Sequence, residues 1–92
     1  MAKAIITMKI MPEDPGQDLD RITKEAEEKI KSYAGDTEHK VERQPIAFGL
    51  IAVIIKFVVD EAKGGTEDVE KEITSVEGVN SVEVIDVRRI IG

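Results

Sequence analysis

The chain has 92 residues, 41% of them apolar and 35% charged, and a formal net charge of −6. This is the length of one domain with a modest core and too apolar for a disordered segment, while the excess acid argues against a surface that neutralises nucleic-acid phosphates. With no cysteine there is no disulfide frame, thiolate metal site or thiol nucleophile, and a cytoplasmic setting is expected.

Residues 3–10, KAIITMKI, place Ala4, Ile6, Met8 and Ile10 on one side and Lys3, Ile5, Thr7 and Lys9 on the other. The alternation predicts a strand buried mainly on one face. MPEDPG follows, a loop by its two prolines, glycine and two acids. It is not a signal-peptide cleavage site, and none is expected. Leu19, Ile22, Ala26, Ile30 and Tyr33 then recur at helical steps, with Asp18 to cap the start and Gly35 to end it. Residues 38–44 read as a polar edge strand anchored by Val41 and ended or bulged by Pro45.

Residues 50–60, LIAVIIKFVVD, are apolar on both faces, which predicts a central strand. The uncharged run 44–55 around its start is too short to cross a bilayer. EAKGG is a turn. TEDVEKEITSVEG is a second helix, with Thr66 as cap, Val69, Ile73 and Val76 inward, and Gly78 as stop. Residues 79–91 form the last strand. Strict alternation puts Val82 and Val84 with Asn80 and Asp86, and Val79, Ile85 and Val87 with Ser81 and Glu83. The order βαββαβ with right-handed crossovers is the α+β ferredoxin-like sandwich. It has a four-stranded antiparallel sheet, first and third strands central, two helices on one face, and the other face uncovered.

That fold hosts many functions. An RNA-binding form needs aromatics on the central strands; only Phe57 is offered. A metal-carrying form needs a cysteine pair, and a phosphatase form needs a basic anion loop where this chain has MPEDPGQD. His39, the only histidine, lies in the polar stretch DTEHKVER and reads as a solvated side chain. The acidic clusters EAEEK, DEAK and TEDVEKE follow helix faces and caps, not a calcium loop. Two features stand out. Phe48, one of three aromatics, sits between Ala47 and Gly49 in a corner; it either plugs the end of the sheet or meets another molecule. Arg88 and Arg89 form the only arginine pair, which either keeps an edge strand soluble or contacts a partner.

PIAFGL, the apolar strand after it, VVDE, a glycine turn, an acidic helix, VEGVNSVEV and a basic pair near the end form an ordered set. This set resembles the guanine-nucleotide exchange domain of the translation elongation factor 1-beta family in its short archaeal form. The likeness is densest over 45–92, with MKIMPEDPGQDLD similar to the archaeal start. It implies the same fold and no cofactor of the chain's own. It also implies that the chain, expected as a monomer, binds the GTPase elongation factor 1-alpha and disturbs the magnesium and phosphate end of its nucleotide site. The family's corner aromatic, which packs into the GTPase, falls on Phe48, flanked by Ala47 and Gly49. The lysine of eukaryotic members that reaches the magnesium site falls on Arg89, beside Arg88. Here the chain departs from the pattern, since arginine is not a compact ammonium and Ile91 and Gly92 follow it. The competing expectation is a small-molecule-sensing ferredoxin-like domain that dimerises through its sheet.

Overall fold

Alternation decides the first strand. β1 (Lys3–Pro12) turns Ala4, Ile6, Met8 and Ile10 into the core, each almost wholly buried. The computed structural model describes residues 2–35 and 38–90. Ile91, with which the expected last strand closes, and Gly92 lie outside them. The order is β1, α1 (Leu19–Ala34), β2 (His39–Pro45), β3 (Ile51–Asp60), α2 (Glu67–Thr74) and β4 (Val79–Ile90), with one-turn 3₁₀ segments at Ala47–Gly49 and Glu61–Lys63. The sheet order is β2-β3-β1-β4, all neighbours antiparallel. The ferredoxin-like βαββαβ sandwich expected from sequence is the observed fold.

The apolar stripe of α1 carries Ile22, Ala26, Ile30 and Ala34 onto the sheet, and the short α2 adds Val69 and Ile73. They meet β1 and the Val53, Ile55, Phe57 and Val59 side of β3 in one core cluster, so both helices share a face. Asp18 caps α1 by accepting from the Arg21 backbone N–H, and Gly35 ends it at φ 84°. Thr66 stands at the start of α2 but makes no backbone cap. Its hydroxyl donates instead to Glu70 at 2.9 Å, one turn on.

β4 departs from strict alternation at two points. Thr7 pairs with Asp86 and Met8 with Val84, which leaves Ile85 unpaired; Met11 pairs with Ser81 and Pro12 with Val79, which leaves Asn80 unpaired. Each skipped residue flips the face of everything beyond it. Val79, Val82, Val84 and Val87 therefore share the helix-bearing side, while Ser81, Glu83, Asp86 and Arg88 share the open side with Met11, Lys9, Thr7 and Ile5. The expected grouping of Val79 and Val87 with Ile85 is corrected by these two bulges.

No described element covers the open face, yet Ala52, Ile54 and Thr7 on it are buried. Glu42 and Lys9 flank Ile54, and Lys56 and Asp86 flank Thr7 in the pairing register. The stems of such side chains shield apolar strand surface while their heads stay in water.

Candidate functional site

The first candidate element is the corner between β2 and β3. Pro45 still pairs with Ile51, and the strands then part. The Ile46 N–H donates to the Leu50 carbonyl at 2.7 Å, and the Leu50 N–H to the Ala47 carbonyl at 3.2 Å. Between these two bonds the chain reverses through successive left-handed residues: Phe48 (φ 61°, ψ 31°) and Gly49 (φ 77°). Glycine adopts that region freely. Phe48 is the sole non-glycine residue at positive φ among the described residues, and a bulky side chain there costs on the order of 1–3 kcal/mol. Burial does not offset the cost, because Phe48 is 94% exposed. The ring is therefore not a plug over the end of the sheet. Ala47 beside it is exposed too, and Gly49 lies against the β1–α1 loop, where an added Cβ would sit 3.8 Å from Pro15 Cγ.

The second candidate element is the arginine pair on β4. Arg88 lies opposite Ile5 on the open face and donates from Nε to Asp86 Oδ2 at 3.0 Å. Arg89 lies opposite Ala4 on the helix-bearing side. It reaches Glu61, with Nε to Oε1 at 2.6 Å and Nη2 to Oε2 at 3.4 Å. Glu61 follows directly on β3, and its N–H donates to the Ala2 carbonyl at 3.1 Å. Asp60 caps the Glu61–Lys63 turn through the Ala62 N–H at 2.9 Å. The Tyr33 hydroxyl, from the end of α1, donates to the Gly64 carbonyl at 2.9 Å. The Tyr33 ring stands edge-on to Phe57 at 6.4 Å, and partial burial raises its hydroxyl pKa above the ordinary value. Sequence reasoning missed Glu61. The signal was present: an acid just beyond a central strand lies near the end of any strand that pairs antiparallel to its neighbour.

The structure does not bring the two candidates together. Ile51 adjoins the corner, while Val59 shares its β1 partner Ala4 with Arg89. The eight steps of β3 from Ile51 to Val59 span about 26 Å at roughly 3.3 Å per residue. Ala47, Phe48 and Gly49 thus mark one end of the molecule, and Arg88 and Arg89 the other. The Phe48 end is braced by a second set of contacts. Asp14 accepts from Gly16 N–H and Gln17 Nε2, both at 2.9 Å, and Arg21 Nη2 donates to the Glu77 carbonyl at 2.7 Å. His39, read as a solvated side chain, is exposed and is also bonded to Glu27 at 2.5 Å, tying β2 to α1. Among the described residues no group of three or more histidine or acidic side chains is gathered around a possible metal position. Nor is any helix there long and apolar enough to cross a membrane.

Residues 5–90 match the family described as the EF-1 guanine nucleotide exchange domain. The chain is 44% identical over 90 residues to elongation factor 1-beta of Methanothermobacter thermautotrophicus, covering 98% of this chain and 99% of that protein. It is 43% identical over 93 residues to elongation factor 1-beta of Staphylothermus marinus, with 98% and 99% covered. Among solved structures, the de novo designed protein Foldit4 superposes with a TM-score of 0.67 at 19% identity, covering 98% of each chain. At that identity the likeness concerns the fold alone.

Proposed function

We propose, because the chain belongs to the EF-1 guanine nucleotide exchange domain family, that it promotes release of GDP from elongation factor 1-alpha without covalent chemistry or a cofactor of its own. The observation that carries this reading is Phe48, strained and almost fully exposed. A ring held that way is ready to be buried by another molecule, and burying it yields about 1.5–3 kcal/mol. Its backbone is already set by the corner, so little ordering entropy is lost on contact. The ring wedges into the GTPase at one end, with Ala47 and Gly49 leaving it clear of neighbours. At the other end Arg89, with Arg88 beside it, approaches the oxyanions of the nucleotide site. A guanidinium cannot take the place of a magnesium ion as an ammonium can, but it competes for phosphate oxygens in bidentate fashion.

Exchange asks only that the factor bind the nucleotide-free GTPase more tightly than the GDP-bound form. Linkage then requires that GDP bind more weakly whenever the factor is present, tenfold for each 1.4 kcal/mol or so of coupling. One buried aromatic ring and one guanidinium contact are of that size. The GTPase that meets both ends at once presents two separate patches, one for each end of a strand run of about 26 Å.

The test is release of a fluorescent GDP from elongation factor 1-alpha. Wild type is expected to accelerate release, and Phe48→Ala and Arg89→Ala each to reduce the acceleration by about tenfold or more, with both variants folded by circular dichroism. No acceleration by wild type at any concentration that forms a complex overturns the exchange role. Acceleration untouched by both substitutions removes the two contacts and leaves the role.

A further inference from the structure

We infer that Glu61 is a positioning residue for Arg89: it grips the Nε/Nη2 edge of the guanidinium so that the adjacent Nη1/Nη2 edge is presented to an oxyanion of the partner's nucleotide site. This rests on the exchange role proposed above and deepens it. The grip is built into the fold. The Glu61 backbone is pinned to Ala2 at 3.1 Å, the far end of its turn is held by Tyr33 through Gly64, and its side chain is 30% exposed against 77% for Arg89. The anchor is thus the less mobile partner, and the arginine is the one that faces out.

The donor arithmetic sets what remains. A guanidinium has five N–H groups. Glu61 engages Nε and Nη2, which leaves one N–H on Nη2 and both on Nη1. One on Nη2 and one on Nη1 point in parallel off the adjacent edge, enough for a second fork-like contact with a phosphate or carboxylate, and the other Nη1 N–H points back along the Cδ side. An arginine held at one edge has lost much of its rotamer freedom on folding and not at the moment of contact. The opposing effect is repulsion between the Glu61 carboxylate and the incoming oxyanion. It acts across the width of the guanidinium at an open site, where water and salt screen it strongly. Orientation therefore outweighs repulsion. The arrangement also accounts for arginine at position 89. A lysine ammonium carries its three donors on one nitrogen and has no second edge to present while the first is held.

A double-mutant cycle on GDP release tests this, with wild type, Glu61→Gln, Arg89→Lys and the two combined, each checked by thermal melting. Glu61→Gln keeps the size and one acceptor oxygen but loses the charge and the second acceptor. It is expected to lower the acceleration by about tenfold in the Arg89 chain and by less than about twofold in the Arg89→Lys chain, a coupling within the range of residues in direct contact. Equal losses in both backgrounds would mean that Glu61 acts through its turn alone, and a faster rate in Glu61→Gln would mean that it restrains Arg89. Either overturns the proposal while leaving the exchange role intact. If wild type itself fails to accelerate release, the exchange role falls, and this proposal with it.

Discussion

At the scale of single residues, Phe48 sets stability against the contact proposed for it. Its backbone occupies a region that costs a bulky residue on the order of 1–3 kcal/mol, and the exposed ring recovers none of it. Phe48→Gly relieves the strain and gives part of it back as greater freedom of the unfolded chain. The net expectation is a gain of about 1 kcal/mol, seen as a rise in melting temperature of roughly 5 °C, together with a fall in the proposed acceleration of GDP release. A lower melting temperature would show that the corner is not strained. The sequence announced a corner through Pro45 and Gly49 and singled out the ring. It did not announce that the ring's own residue turns left-handed, because that conformation comes from the bonds closing Leu50 onto Ile46 and Ala47, not from phenylalanine's preferences. Position 89 was legible as a cation, but its counter-ion was not. Glu61 lies 28 positions away and is brought near only by the register of β1 between two other strands.

At the scale of elements, local patterns carried the helices and central strands well, since a core face repeats with the period of the backbone. β4 is where they misled. A period of two has no place for an unpaired residue, so Val79 and Val87 were assigned to the wrong face. The trace was there in the three-residue steps from Val79 to Val82 and from Val84 to Val87, each spanning one bulge. The tie between α1 and the Glu61–Lys63 turn is equally non-local. It consists of the Tyr33 hydroxyl donating to Gly64, and its titration can be followed because Tyr33 is the only tyrosine. Desolvation raises the Tyr33 pKa in the folded state above the unfolded value of about 10. The folded chain therefore holds this proton more tightly than the unfolded one. The corresponding stability is fully present below the unfolded pKa and is lost as pH rises through the folded one. Wild type is expected to lose stability in that alkaline range in step with the ultraviolet signature of tyrosinate, and Tyr33→Phe to lack that step. Identical alkaline profiles for the two would sever the link.

At the scale of the whole molecule, the competing expectation of a sensor that pairs through its sheet can be weighed. The face open to such pairing carries Lys9, Lys40, Glu42, Lys56, Glu83, Asp86 and Arg88 around its buried apolar residues. Joining two such faces would take those charges out of water, a cost that imperfect pairing does not recover. The exposed large apolar residues among those described are Phe48 at one end and Ile85, Val87 and Ile90 on the β4 edge. That edge is interrupted by two bulges, the device by which free strands avoid pairing with copies of themselves. Sedimentation equilibrium is expected to give the single-chain mass of 10.2 kDa at micromolar concentrations; a stable dimer there would restore the competing reading.

The molecule measures 42 × 21 × 18 Å, and the long axis has a consequence for how such a factor tolerates change. Phe48 and Arg89 are joined by hydrogen-bonded strands, not by a hinge, so the gap between them is a gauge length fixed on folding. Lengthening or shortening the sheet by one residue would turn Arg89 to the wrong side, and only steps of two, about 6.6 Å each, preserve the facing. Such a gauge has no fine adjustment. Insertions are tolerated in the loops outside the gauge, where added residues leave the spacing of Phe48 and Arg89 unchanged.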